Sequence, residues 1–341
     1  MIGVTACASG ARPMGVESEI DLLMSAYQGR VPGASLLVLK DGKPLLRKGY
    51  GFADLEAGVE ATPAANYRLA SVTKQFTAAA ILLLVEDGKL HLDGSVRQWL
   101  PSLPTITDAV TLRHLLTHSS GLIDYEDLMP TDQVTQVHDA DVLELLERED
   151  RLYFEPGTSY RYSNSAYALL ALIVENASGH SFPEFLKQRI FEPLGMRNTL
   201  AYVAKGPEIE HRAYGYSEIN GKWQRSDQSS TSAVLGDGGI YSSIDDLARW
   251  DAALYDDRLL SDASRKLAFS PQVEVSDEPY QAQYGLGWRI TGDTLWHSGE
   301  SIGFRNVIVR WPKRHMTIIL LSNRNDPEPY RLALEIARRI P

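Results

Sequence analysis

Apolar residues recur at helical spacing at Ile20, Leu23, Met24 and Tyr27, and Gly29 and Pro32 stop the pattern, which predicts an amphipathic helix near the start of the chain. The period then changes. Residues 34–40 and 44–50 are rich in Leu and Val and flank Asp41-Gly42, the signature of a β-hairpin. From residue 74 onward helical spacing dominates, predicting helices at 74–87, 111–117, 139–149, 165–178 and 182–191 joined by loops rich in Gly, Pro and Asp. Past Gly238-Gly239 a further helix is expected to begin at Ser243, with Asp246 where a capping box places a carboxylate. Strand patterns return at 284–290, 294–297, 304–311 and 316–321, and a last helix is predicted over 328–339.

Short strands at the two ends of the sequence are not stable alone, so the simplest assembly joins them in one mostly antiparallel sheet flanked by the first and last helices. The expected fold class is therefore α/β with an inserted all-helical domain. The expected division is a flexible tail at residues 1–15, a discontinuous α/β domain of residues 16–65 and 238–341, and a helical domain of residues 66–237. An active site is expected in the cleft between them.

With 341 residues, of which 44% are hydrophobic, the chain can bury a substantial core and has room for one to three domains. A formal charge of -10 excludes a sequence-independent grip on nucleic acid, which needs concentrated positive charge. The single cysteine, Cys7, excludes an internal disulfide framework and a multi-thiolate zinc site. Val4-Thr5-Ala6-Cys7 resembles a bacterial lipobox, but only three residues precede Val4, too few for a charged and an apolar leader segment. Two readings of Cys7 stay open: a lipid anchor left by a truncated leader, which places the protein in the periplasm or cell envelope, or a chance cysteine in a tail, which allows the cytoplasm. The longest apolar run, 78–85, is too short to span a bilayer.

Three short patterns carry candidate chemistry. Ser71-Val72-Thr73-Lys74 opens an apolar helix, and positions i and i+3 share a helical face, so the Lys74 amine can reach the Ser71 hydroxyl. A serine hydroxyl is a weak nucleophile until a neighbour takes its proton, and lysine serves when its surroundings favour the neutral amine. Taken alone, the pattern reads more readily as Ser71 in a plain N-cap with Lys74 solvated, because both residues are common. Tyr162-Ser163-Asn164 offers a phenol for proton transfer and an amide to hold Lys74 or a substrate, with Asn164 as an N-cap the bland alternative. His297-Ser298-Gly299 ends a predicted strand, with donors on His297 and Ser298 and small residues that admit a substrate backbone. Ser71 opens the chain's one S-x-x-K pattern and Tyr162 its one Y-x-N.

In this order the three patterns resemble the serine β-lactamase and penicillin-binding protein superfamily, whose S-x-x-K element is shared widely. The Y-x-N and H-x-G forms are similar to class C β-lactamases, DD-peptidases and related esterases. The resemblance runs over about residues 16–340 and includes residues 115–122, Phe154-Glu155-Pro156-Gly157, Pro193-Leu194-Gly195-Met196, Gly238-Gly239 and Tyr284-Gly285-Leu286-Gly287-Trp288. It implies a hydrolase acting through an acyl-enzyme on ester, D-amino-acid peptide or amide bonds, with a small molecule or peptide as substrate and no metal or organic cofactor. Ser71 would be the nucleophile, Lys74 and Tyr162 would share proton transfer, and Asn164, His297, Ser298 and Gly299 would contact substrate. The oxyanion would rest on backbone N–H groups of Ser71 and Glu300. Two positions depart from the common pattern. Glu300 puts a carboxylate beside the developing oxyanion unless it turns away or meets a cation. His297 stands where lactamases carry lysine, and a histidine with a pKa of about 6.5 is mostly neutral at pH 7, so efficient β-lactam hydrolysis is not expected. Arg305 could replace that charge. A rival reading is a penicillin- or cell-wall-peptide-binding sensor that acylates without turnover.

Three other features of the sequence admit alternative readings. Gly299-Glu300-Ser301-Ile302-Gly303 matches the G-x-S-x-G elbow, but that elbow requires a helix next, and residues 304–311 read as a strand. His114 and His118 have a metal-compatible i, i+4 spacing but lack the adjacent Glu of H-E-x-x-H, and read as structural. Trp250, Trp288, Trp296 and Trp311 read as core or cleft wall.

Overall fold

The computed structural model describes residues 15–275 and 281–340. Cys7 lies outside the described residues. Strands from both ends of the chain meet in one antiparallel sheet: β1 (Ala34–Lys40), β2 (Lys43–Tyr50), β3 (Val273–Val275), β4 (Ala282–Tyr284), β5 (Arg289–Thr291), β6 (Thr294–Ser301), β7 (Phe304–Trp311) and β8 (Met316–Ser322), in the order β3-β4-β5-β6-β7-β8-β1-β2. The principal helices are α1 (Val16–Leu23), α2 (Lys74–Glu86), α3 (Asn164–Ser178), α4 (Ile244–Ala253) and α5 (Pro329–Ala337).

The central strands carry apolar residues on both faces because both faces are covered. Side chains alternate across a strand. Leu36, Val38, Val307, Val309, Ile318 and Leu320 pack with Ile20, Met24, Tyr330 and Ile336 from α1, the turn after it, and α5. Leu37, Leu39, Ile308, Ile319 and Leu321 face the opposite way, into the larger core shared with α2, α3 and α4. Within that core Arg310 donates to Asp251 at 2.5 Å, and Thr317 donates to the same carboxylate at 2.9 Å, tying α4 to β7 and β8.

Several elements differ from their sequence-based expectation. The strand expected over 284–290 is broken into β4 and β5 by Gly285–Trp288. Gly287 has φ +77°, and a Cβ there would stand 2.8 Å from the Lys74 carbonyl oxygen, so the bend lets the sheet press directly on α2. The pattern at 182–191 becomes an α-helix, Phe182–Leu186, running into a π-turn, Lys187–Phe191. The stretch between the two groups of sheet strands is mainly helical but also holds short strands. Tyr67–Arg68, Leu200–Ala201 and Ile240–Ser242 pair together, and Tyr216–Ile219 pairs with Lys222–Arg225. Asn220 and Gly221 join the latter pair with φ +54° and +71°, the backbone that Asn-Gly favours in a two-residue hairpin. Ser243 caps α4 as expected, but the Asp246 carboxylate accepts from Asn198 N and Thr199 Oγ1 instead of closing the box.

Candidate active site

Ser71 sits on a sharp strand-to-helix corner. Tyr67–Arg68 leads into Ala70, whose φ of +50° is strained for a residue with a Cβ, and a 3-10 turn, Ala70–Thr73, then feeds α2. Ser71 is therefore not a side-chain cap. As the second residue of the turn, it presents a backbone N–H for which the helix supplies no acceptor.

α2 is buried on all sides from Lys74 to Leu84, as expected of a helix apolar all round, and Lys74 is 0% exposed. A buried ammonium needs its donors satisfied. Lys74 Nζ donates to Ser71 Oγ at 3.1 Å, to Asn164 Oδ1 at 2.9 Å and to the Asp237 carbonyl at 3.0 Å. The rings of Tyr162 and Tyr167 lie with centroids 4.8 Å and 5.4 Å from the same nitrogen. If the amine were neutral, two of its hydrogens would still satisfy Asn164 and Asp237, leaving the lone pair for the Ser71 hydroxyl.

Ser163, and not Asn164, caps α3: its Oγ accepts from Ala166 N. That leaves the whole Asn164 amide for the site. Its Oδ1 takes Lys74, its Nδ2 donates to Glu126 Oε1 at 3.1 Å, and its backbone N donates to Asp124 Oδ2 at 2.7 Å. The Tyr162 ring is held from behind by His118, with centroids 4.3 Å apart. His118 Nδ1 accepts from Ser163 N at 3.1 Å, so the hydrogen of its neutral ring is on Nε2. Burial and the Lys74 charge hold its pKa well below 6.5. His114 instead accepts from Thr111 N in a reciprocal cap, so the two histidines serve separate local structures. Among the described residues the Tyr162 phenol makes no hydrogen bond to Ser71 or Lys74; Tyr162 offers the amine its ring face.

The third pattern lies across the cleft from this group. Gly299 is pressed on the nucleophile turn: a Cβ there would stand 2.1 Å from Leu69 O and 3.0 Å from Ser71 N. β5 pairs with β6 only as far as Trp296, so among the described residues Ser298 to Ser301 have no strand partner on that side. Peptide groups alternate in direction along such an edge, which lets N–H groups of this stretch face the cleft. His297 does not take the place expected of a substrate donor. It is 1% exposed, its Nε2 accepts from Tyr284 Oη at 2.9 Å, its Nδ1 donates to Ser298 O at 2.6 Å, and burial with Arg289 nearby holds it neutral. Glu300 meets a cation: Arg305 lies 3.3 Å from its carboxylate and also turns to Asp326 at 3.6 Å and Asn325 O at 3.2 Å, so Arg305 is no substitute for the lysine of lactamases. Ser301 ends β6, and the turn Ile302-Gly303 leads straight into β7, so the G-x-S-x-G match is a hairpin.

A cavity of about 200 Å³ opens on Ser71 and is also lined by Asn164, Glu126, Tyr125, Asp237 and Glu300. Sequence reasoning did not single out Asp124, Tyr125, Glu126 or Asp237. The signal for them was position alone, since they directly follow the 115–122 stretch or directly precede Gly238-Gly239. Asp237 is 7% exposed and accepts from Tyr125 Oη at 3.2 Å. Burial, with Asp139 and Glu126 adding repulsion against the pull of Lys74, raises its pKa to about 7. Burial and Asp124 likewise raise Glu126. Asp139 is raised to about 6 by burial, although Leu235 N and Gly236 N donate to it. A larger cavity of about 560 Å³, walled by Phe191, Met196 and Leu200, is lined by none of Ser71, Lys74, Tyr162, Asn164 and His297.

The chain resembles known proteins in sequence and in fold. The sequence is 35% identical to Penicillin-binding protein 4* of Bacillus subtilis (strain 168) over 319 residues, 88% of this chain and 70% of that protein. It is 29% identical to Protein flp of Staphylococcus aureus (strain MW2) over 91% of this chain, which spans 64% of that protein's length. Among solved structures, an octameric penicillin-binding protein homologue from Pyrococcus abyssi superposes with a TM-score of 0.82 at 28% identity, covering 94% of this chain and 76% of that one. A D-amino acid amidase from Ochrobactrum anthropi SV3, solved with L-phenylalanine amide, gives a TM-score of 0.82 at 25% identity, covering 95% and 98%. With the Beta-lactamase family matched over residues 16–340, the chain belongs to that family.

Proposed function

We propose that the chain is a serine hydrolase that cleaves ester or amide bonds through an acyl-enzyme on Ser71. The observation that carries this reading is the 3.1 Å contact between Lys74 Nζ and Ser71 Oγ, made by a lysine with no exposure to solvent. In the proposed reaction the neutral Lys74 amine takes the Ser71 proton as Oγ attacks the carbonyl carbon. The resulting oxyanion is received by Ser71 N–H and by the edge of β6 near Glu300, while the ammonium returns its proton to the leaving group. Water, activated by the same amine, then releases the acid. Tyr162 places its ring beside Lys74 throughout, a role of positioning the amine and, with a small rotation, of sharing its proton.

Esters, D-amino-acid peptides and amides are the substrates this reading favours, supported by the resemblance to a D-amino acid amidase. β-Lactam turnover is expected to be weak because His297 is neutral and buried. Penicillin-binding relatives, and a Tyr162 phenol without a hydrogen bond to Ser71, favour a second reading in which acylation is not followed by turnover. A fluorophosphonate label and the hydrolysis of p-nitrophenyl butyrate distinguish the outcomes. Ser71→Ala abolishes both signals, and Lys74→Ala lowers turnover by at least about 100-fold. Labelling without hydrolysis supports the sensor. Retention of activity in Ser71→Ala, or its loss in a folded Ser301→Ala, refutes the assignment.

A further inference from the structure

We infer that the larger cavity, which holds none of the catalytic groups, binds a small amphipathic monocation: an apolar body that ends in an ammonium. The inference stands apart from the hydrolase reading. At about 560 Å³ the cavity has the size of a small-molecule site. The π-turn Lys187–Phe191 and the short strand Leu200–Ala201 contribute to its walls, where Phe191, Met196, Leu200 and Val203 supply apolar surface. A π-turn widens a helix by one residue and recurs at functional sites. Such walls favour the transfer of an apolar ligand body out of water.

Polar groups select the head of the ligand. Asn66 lines the cavity and is 0% exposed. Its Nδ2 donates to Asn198 O, its backbone N donates to His211 O at 2.9 Å, and its carbonyl accepts from Ala213 N at 2.9 Å, but its Oδ1 has no partner among the described residues. The bond to Asn198 O fixes which way the amide faces, so the atom left over is the oxygen, which can only accept. A buried acceptor without a donor is costly, and a ligand N–H carried into the cavity relieves that cost. The charge of this donor follows from its surroundings. Glu184, Glu192, Glu208 and Glu210 line the cavity against Lys187 and Arg197, and Lys187 already lies 3.8 Å from Glu192. The side chains of Glu208 and Glu210 make no ion pair or hydrogen bond among the described residues. The bond from Asn66 to His211, the residue after Glu210, brings this segment to the wall that carries the open acceptor. Excess negative charge and an unmet acceptor thus occur together, which favours an ammonium over a hydroxyl and disfavours a carboxylate.

Calorimetric titration of the full chain with 4-phenylbutylamine, 4-phenylbutanol and 4-phenylbutyrate tests the site, because the three compounds share an apolar body and differ in the head group. The amine is expected to saturate with a Kd of about 1 mM or tighter and to bind about tenfold or more tightly than the butyrate, with the alcohol between them. Glu208→Gln combined with Glu210→Gln changes two exposed side chains, and should weaken the amine severalfold while leaving the alcohol unchanged. Val203→Trp, at a wall position that is 46% exposed, narrows the cavity and should weaken all three compounds. Each variant is first shown to keep the wild-type unfolding transition. Saturable binding of the amine that falls with both changes supports the proposal. No saturable binding of the amine, a butyrate or alcohol bound as tightly as the amine, or an amine affinity unmoved by both changes in folded protein overturns it.

Discussion

Asp237→Asn is expected to reverse part of the protein's pH dependence of stability. The substitution keeps the size of the side chain, its contact with Tyr125 and the backbone carbonyl that holds Lys74, and removes only the charge. In the folded protein the Asp237 pKa lies near 7, against an ordinary value of 3.8. Between those values the native state holds a proton that the unfolded chain has released. The associated stability is fully present below 3.8 and is lost as pH rises through 7. At about 1.36 kcal/mol per pKa unit the full span amounts to about 4 kcal/mol, of which about 3 kcal/mol falls between pH 5 and 8.5. His118 and His297 act with the opposite sign. Both are held below 6.5 by burial, so their contribution is present above that value and lost on acidification. The wild-type curve mixes these slopes, so the quantity to measure is the difference between variant and wild type. Denaturant unfolding at pH 5 and at pH 8.5 should show Asp237→Asn gaining about 3 kcal/mol relative to wild type between the two. Asp139→Asn is the companion measurement, with its gain completed earlier, as pH passes about 6. A difference for Asp237→Asn that is flat with pH, or that shrinks toward alkaline pH, refutes the reasoning.

Further outcomes can be measured directly. Gly299→Ala places a methyl 2.1 Å from Leu69 O, so β6 must withdraw from the Ser71 turn; ester hydrolysis should fall by about 100-fold or more, the cost of a misplaced oxyanion donor, and a kinetically normal variant would contradict the packing. Asp251→Ala leaves Arg310 buried without its carboxylate and should cost about 3–5 kcal/mol in thermal or denaturant unfolding, whereas the double change Asp251→Leu with Arg310→Met should recover most of that loss. Ala70→Gly should stay within about 1 kcal/mol of wild type because φ +50° suits glycine, while Ala70→Val should cost about 2 kcal/mol or more, both read by unfolding and by Ser71 labelling.

The chain announced its fold where patterns are long and its site where motifs are short but ordered. The apolar cores of β1, β7 and β8, residues 36–39, 307–309 and 318–321, place apolar side chains on both faces, and this could be read as buried strand. The pieces at Tyr67–Arg68 and Leu200–Ala201 are two residues long, below any periodicity, and exist only because Ile240–Ser242 lies between them. Asn220-Gly221 was a legible hairpin signal in a stretch whose helical spacing dominated the reading. At the site, Lys74 reaches Ser71 from the i, i+3 position that their spacing implied, and Asn164 meets the same amine. The orientation of His297 and of Arg305 was not legible, since each depends on partners far along the chain: Tyr284 for the one, Asp326 for the other. Glu126 and Asp237 carry no motif of their own. Packing alone brings Glu126 to the Asn164 amide and Asp237 to Lys74.

The corner at Ala70 has a consequence for how the protein loses activity. The backbone around Ser71 is clamped between the strand at Ile240–Ser242, the glycine of β6 and the first turn of α2, while its amine is anchored to residues 164 and 237. These parts come from segments far apart along the chain. Chemistry at Ser71 therefore registers whether distant segments of the chain are docked together, and a local detachment of any one of them would silence the site while most of the sheet remained intact.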